Sequence, residues 1–300
     1  MKKILKWTGI VLVALLVIVA IAGAYFANNF ENRLAKTYEV TPARVPVPTD
    51  SALLSEGERL AKIHCIACHG KDLGGTEFFN DAAIGSVPAS NLTAGQGGKG
   101  REYDEVDFIR AIRHGIKKDG TPAFIMPAAE FQHLSDEDLG AIVGYLKSVP
   151  QQNRNWSGPQ ITFLGRALAG AGLFGDVINA ENIDHAAIAA VSAPVRGATA
   201  EYGRYLVKTS GCPGCHGKEL NGMQPGEPGA PFAPNLTPGG NVGKWSEDQF
   251  RAALRTGVTP DQRQLNPSFM PWPGFAYLHD DEISALYKYL QAQPALASAK

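Results

Sequence analysis

Residues 64–75 read HCIACHGKDLGG, and residues 211–222 read GCPGCHGKELNG. All four cysteines of the chain lie in these stretches, as Cys65, Cys68, Cys212 and Cys215. Each pair is C-x-x-C followed at once by a histidine, His69 or His216. A thiol-redox pair of this spacing accompanies a βαβ pattern and has no need of the histidine. The βαβ pattern is missing here. Two C-x-x-C pairs that share one zinc ion lie about 15–20 residues apart, and these are separated by a whole domain. A disulfide across two intervening residues closes too small a loop to constrain the unfolded chain. What remains is covalent attachment of a c-type haem, in which both thiols become thioethers and the adjacent imidazole meets the iron. Two motifs predict two haems, with His69 and His216 as one axial ligand each.

The chain has 300 residues and a net charge of −1, so it lacks the basic footprint of a nucleic-acid binder. Its length suggests about two domains. Residues 51–150 carry 10 Lys/Arg and 14 Asp/Glu, and residues 199–300 carry 9 of each. That balance reads as an ordinary solvated surface, with docking of a partner on the acidic first half as the other possibility.

The N-terminus is more decisive. No charge occurs between Lys6 and Glu31, and WTGIVLVALLVIVAIAGAYFA (7–27) is almost wholly apolar. A membrane-spanning helix needs about 20 such residues. Lys2, Lys3 and Lys6 before it hold the N-terminus in the cytoplasm, which sends the remaining chain to the far side. AGA at 22–24 could mark a cleaved signal, but the apolar run exceeds the usual ~7–15 residues of a signal core. The expectation is an uncleaved transmembrane anchor over 1–27. Either way both C-x-x-C-H motifs are exported, and bacterial haem attachment is completed outside the cytoplasmic membrane.

Residues 28–50 carry Pro42, Pro46 and Pro48 and read as a stiff tether that holds the next domain off the bilayer. Residues 51–150 and 199–300 are an internal repeat. Asn91-Leu92-Thr93 returns as Asn235-Leu236-Thr237, YDEVDFIRAIRHG (103–115) as WSEDQFRAALRTG (245–257), and Met126-Pro127 as Met270-Pro271. Each copy reads as three short helices. The first leads into C-x-x-C-H, with Ser55-x-x-Glu58 as a capping box in copy one. The second buries Phe108, Ile109 and Ile112, or Phe250, Ala253 and Leu254, and stops at Gly115 or Gly257. The third carries Leu139, Ile142, Val143 and Leu146, or Ile283, Leu286, Tyr287 and Leu290, at helical spacing. The loops between show no strand pattern. So few helices make a thin core, and a haem would supply the missing apolar centre. Residues 151–198 form a linker, and its apolar stretch ITFLGRALAGAGLFG (161–175) is expected to fill the cleft between the domains, with the membrane surface or a partner as alternatives.

The second axial ligand decides the chemistry, because a neutral thioether stabilises reduced iron and makes a carrier. The chain has four methionines, and Met126 and Met270 fall at the same place in both repeats. Each precedes a proline that restrains the loop. They are the expected ligands, and Met223 is read as an ordinary loop residue. Proximal imidazoles need an acceptor for the other ring N–H. A carbonyl near Pro234 suits His216, while copy one offers less guidance. His64 is expected to point away from the haem. His114 closes a helix, where a charged imidazole would suit the dipole. His133, His185 and His279 receive no haem role.

Together the C-x-x-C-H-G-x-x-L-x-G, N-L-T, R-x-G and M-P elements resemble class I cytochrome c domains in tandem, over about 200 of the 300 residues. The chain is similar to dihaem cytochromes and to the cytochrome subunits of periplasmic dehydrogenases. That resemblance implies an all-α fold, His/Met haems and electron transfer from a dehydrogenase donor to a cytochrome or oxidase acceptor in the respiratory chain, on the periplasmic side of the inner membrane. Alcohol- and gluconate-type cytochrome subunits often carry three haems, and two motifs set this chain apart from them. Two other roles are open at this stage. One is a haem enzyme, such as a dihaem peroxidase or a thiosulfate-oxidising cytochrome, with one open or labile axial site. The other is a non-catalytic haem subunit of a larger oxidoreductase.

Overall fold

Uninterrupted Leu, Ile, Val and Ala with no proline before Pro42 form one long helix, α1 (Lys2–Ala35). The computed structural model describes residues 2–226 and 229–299; Met1 and Lys300, the outer bounds of the expected domains, lie outside them. Apolar side chains from Ile4 to Tyr25 are exposed on α1, whereas Ala27 and Phe30 are buried. A helix that shows its apolar surface all round is not a soluble core helix, and α1 is compatible with a transmembrane anchor.

The helix runs on past residue 27, since FENRLA contains no breaker. The rest of the expected tether is not a free spacer either. Tyr38 donates its N–H to the Gly120 carbonyl at 2.9 Å, and Arg110 Nε donates to Val40 at 3.0 Å. Val45 joins the core, and Pro46 lies so close to Gly140 that a Cβ there would sit 2.0 Å from its carbonyl oxygen.

The first repeat is α2 (Ser51–His64), α3 (Ile66–His69), β1 (Thr76–Asp81), β2 (Gly85–Ala89), α4 (Lys99–Glu102), α5 (Glu105–His114), α6 (Ala128–Phe131) and α7 (Asp136–Ser148). The linker holds β3 (Gln160–Ile161), α8 (Phe163–Gly170) and a 3₁₀ turn at Asn179–Asn182. The second repeat is α9 (Ala200–Thr209), α10 (Cys212–His216), α11 (Glu247–Thr256), α12 (Trp272–Phe275) and α13 (Asp280–Gln291). The mostly helical expectation holds, with two local corrections. Asp50, not Ser55, caps α2 by accepting from Leu53 N at 3.0 Å, so Ser55 lies inside the helix. Copy one also contains a small antiparallel sheet, β1-β2-β3. Asp81 Oδ1 accepts from the N–H groups of Ala83 and Ile84 at 2.8 and 2.9 Å, which turns the chain into a hairpin. Among the described residues, copy two keeps only an isolated bridge at that place, Met223 with Ala233.

In both repeats the first and last helices cross where one of them has no side chain. A Cβ on Gly57 of α2 would lie 2.0 Å from the Ala141 carbonyl oxygen of α7. A Cβ on Gly203 of α9 would lie 2.0 Å from that of Ala285 in α13. Leu139, Ile142, Val143 and Leu146, and Ile283, Leu286 and Leu290, are buried as their spacing predicts.

The two domains share one apolar core and a charged seam. Arg59 of α2 reaches Glu282 of α13 at 2.7 Å and Glu56 at 2.7 Å, and Arg196 of the linker reaches Glu56 at 2.6 Å and Asp138 at 2.7 Å. Burial alone would raise the Glu56 carboxyl, but Arg59 and Arg196 outweigh it and hold it at about 2. The linker's apolar stretch does not fill the cleft between the domains. Its helix α8 packs on α1, because Gly170 lets the two backbones touch at Phe26. Arg59 and Glu282 bridge the domains, while the later Arg196 ties the linker to the first domain through Glu56 and Asp138.

Candidate functional site

Each C-x-x-C-H forms its own short turn of helix, α3 or α10, after the first long helix of its domain. Gly70 and Gly217 follow, with φ 79° and 84°. The chain then folds back, and Gly75 N bonds the His69 carbonyl at 2.9 Å, as Gly222 N does that of His216 at 2.8 Å. Leu73 and Leu220, the L of the motif, both take φ 57° and are buried. Their carbonyls accept from Leu92 and Leu236 at 2.8 Å each, which fastens the N-L-T segment under the histidine.

That segment is a buried polar knot. Asn91 Oδ1 accepts from the N–H and the hydroxyl of Thr93, both at 2.9 Å, and Asn235 does the same with Thr237 at 2.8 Å. The Asn91 amide donates to Gln152 at 2.6 Å, and that of Asn235 to Leu296 at 2.8 Å, both beyond the last helix. The knot presents a carbonyl to each histidine. His69 Nδ1 lies 2.8 Å from Ser90 O, and His216 Nδ1 lies 2.7 Å from Pro234 O. A carbonyl only accepts, so each Nδ1 carries its proton and each Nε2 keeps a lone pair. Burial lowers both imidazole pKa values against the pull of those carbonyls, which favours the neutral ring.

Met126 and Met270 sit in matching frames. Pro127 (φ −79°, ψ 56°) and Pro271 (φ −78°, ψ 48°) precede α6 and α12. The methionine carbonyls accept from Ala128 and Trp272 at 2.8 and 2.7 Å.

In the first domain Cys65, Cys68, His69 and Met126 all line one cavity of about 450 Å³. In the second, Cys212 and Met270 pack against the core and His216 is buried. Burial first, and the neighbouring Cys68 second, pushes the Cys65 thiol up to about 12; burial pushes Cys68 to about 11 and Cys212 to about 12.

The cavity suits a flat apolar macrocycle with acidic substituents. Its wall includes Val87, Phe108, Ile112, Phe131 and Ile142, and its cationic members are Lys99, Lys117 and Arg166. Arg166 pairs with Glu31 through Nη1, while its Nε is buried with no partner in the protein. A carboxylate of the bound group would satisfy that donor. Glu31 and Arg166 come from α1 and α8, so the end of the long helix and the linker complete the first pocket. Sequence periodicity could not reveal this, because neither residue belongs to the repeat.

Two expectations about histidines are corrected. His64 lines the same cavity as Cys65 and meets the Phe131 ring edge-on at 5.7 Å. His114 is buried, and burial first, then His185, Arg113 and Arg110, lowers it to about 4, so it is neutral rather than a charged helix end. Its Nδ1 lies 3.2 Å from that of His185 in the linker, a pairing that no local signal announced.

The model of the cytochrome c oxidase cbb3-type subunit III family matches residues 52–146, and the cytochrome c model matches residues 200–294. The chain is 29% identical over 282 residues to the cytochrome c subunit of a quinone alcohol dehydrogenase of Gluconobacter oxydans, over 84% of this chain and 57% of that protein. It is 28% identical over 291 residues to the fructose dehydrogenase cytochrome subunit of Gluconobacter japonicus, covering 89% and 57%. It is 30% identical over 275 residues to the gluconate 2-dehydrogenase cytochrome c subunit of Pantoea cypripedii, covering 81% and 60%. The chain thus spans little more than half the length of these relatives, which include the alcohol and gluconate types. The matched segments coincide with the two copies of the haem-attachment geometry, and the chain carries two cytochrome c domains in tandem behind an N-terminal apolar helix.

Proposed function

We propose that the chain is a membrane-anchored electron-transfer subunit that holds two covalent haems c. Cys65 and Cys68 bind the first, with His69 and Met126 as axial ligands. Cys212 and Cys215 bind the second, with His216 and Met270. The observation that carries this reading is the duplication of one local geometry, down to the histidine–carbonyl bond and the Met-Pro frame. When bound, each haem supplies a one-electron couple.

The residues supply the rest. The Ser90 and Pro234 carbonyls fix the imidazole planes and raise ligand basicity. The Met-Pro frames hold each thioether with little freedom to leave. Apolar walls keep water out and favour the state of lower charge. The relatives' names support a dehydrogenase as donor. A respiratory cytochrome or oxidase is the acceptor we propose, with the haem domains outside the cytoplasmic membrane.

The test is carbon monoxide titration of the fully reduced, purified protein, followed in the visible spectrum. No spectral change at either haem is expected. A change amounting to one haem would reveal an open or labile axial site and favour a haem enzyme.

A further inference from the structure

Helix α8 packs on α1 at a height where α1 is still apolar. The Phe163 ring lies 3.6 Å from the position of a Cβ on Gly23, and Gly170 touches the backbone of Phe26. Phe30 is fully buried beside Ala169. Between Lys6 and Glu31 the helix has no charge, which is about 36 Å of rise against a hydrocarbon core of about 30 Å. Gly23 lies about 12 Å below Glu31 along the axis. A domain held at that height cannot stand clear of a bilayer that α1 crosses.

The side chains around the contact are sorted by depth. Arg166, one turn from Phe163, is neutralised by Glu31, and Arg33 by Glu181 at 2.5 Å. Phe163, Leu164 and Leu173 find no such cover and are 54, 48 and 59% exposed. Phe163 and Leu164 open α8, Leu173 follows its end, and Tyr25 of α1 is likewise exposed, so the apolar rim draws on both helices. A polar loop would be the ordinary solution beside a membrane anchor.

We infer that this rim, at Phe163, Leu164 and Leu173, is a lipid-docking surface that sinks into the outer leaflet beside α1. The inference rests on α1 being the membrane anchor proposed above. The first domain is then seated on the bilayer, with its pocket opening fixed relative to the membrane plane by Glu31 and Arg166. A membrane-diffusing redox partner would meet that domain at a set height and orientation.

The test uses the full-length haem-loaded protein in nanodiscs at one copy per disc. Leu164→Cys, Leu173→Cys, Val17→Cys and Val195→Cys are each treated with a charged, membrane-impermeant maleimide, and adducts are followed by mass. The unaltered protein serves as blank, since thioether-bound cysteines do not react; adducts on it would count against the haem reading and are subtracted. Val195 is 89% exposed and far along the chain from α8. A thiol in lipid stays protonated and labels slowly, so Leu164→Cys and Leu173→Cys should label at least ~10-fold slower than Val195→Cys. Fast labelling at both sites, with Val17→Cys protected, would overturn the docking and leave the anchor standing. Fast labelling at Val17→Cys as well would overturn both. Protection that appears only with several copies per disc would assign the rim to a second copy and overturn the lipid assignment.

Discussion

His216 Nδ1 lies 2.7 Å from the carbonyl oxygen of Pro234. His69 makes the same contact at 2.8 Å with Ser90, although the two loops differ in sequence. The shared requirement is a backbone acceptor one residue before the Asn of N-L-T, and a carbonyl exists there whatever the side chain.

The frames around Met126 and Met270 give a ligand prediction. Met126→Leu should keep its covalent haem, because Cys65, Cys68 and His69 remain, but the reduced protein should bind one equivalent of carbon monoxide and the first haem's potential should fall. Met270→Leu should do the same at the second haem. If Met126→Leu binds none, another residue closes that iron. Redox titration with and without carbon monoxide reads both effects.

Helix crossings at Gly57 and Gly203 should not tolerate a methyl group. Each Cβ would lie 2.0 Å from a helix carbonyl oxygen. Gly57→Ala and Gly203→Ala should each destabilise their own domain by about 1–3 kcal/mol or more, as overpacking does. Thermal unfolding followed at the haem bands would show it; an unchanged midpoint would mean the helices slide apart freely.

The buried Asn of each polar knot joins four backbone or hydroxyl partners. Asn91→Ala or Asn235→Ala strands at least one buried group, and a loss of about 2 kcal/mol is expected. The affected domain should also lose its native axial haem ligation at lower denaturant, since the same loop carries the His69 or His216 acceptor. Denaturant titration with haem absorbance as readout tests both.

Acid should loosen the seam between the domains. Glu56 is held at about 2, below its ordinary 4.5, by Arg59 and Arg196 against the opposing effect of burial. A depressed carboxyl stabilises the fold above 4.5, and the benefit is lost as pH falls from there toward 2. The shift corresponds to up to about 3 kcal/mol. Glu56→Gln should be less stable at neutral pH and show a flatter acid limb in that window. An acid limb of equal slope would mean that the ion pairs do not persist in solution.

Local chemistry made much of the protein legible in its sequence. The C-x-x-C-H pentapeptides, the stops at Gly115 and Gly257 and the spacing of Leu139 to Leu146 depend on neighbours a few residues away. Repetition extended that reach by marking Met126 and Met270, which sit in matching frames, and APFAPNLT in copy two alone pointed to Pro234. The hairpin at Asp81 escaped because a single Asx turn and glycine made it, and TEFFND alone carries no clear alternation.

Long-range approach settled the rest. The crossings at Gly57 and Gly203 depend on which carbonyl faces an empty side-chain position. His114 is neutral because the fold buries it, and because His185, 71 residues away, and two arginines lie beside it. Arg166 enters the first pocket because Gly170 lets α8 lie against α1, and the Glu56 carboxyl is held low because Arg59 on its own helix and Arg196 of the linker, 140 residues away, converge on it. The sequence by itself determined the repeated C-x-x-C-H turns and the repeated helices, which are set by local bonds and periodicity. Tertiary structure alone decided burial, charge state and the seating of the first domain on its helix, because those depend on the distance between segments that the chain order keeps far apart.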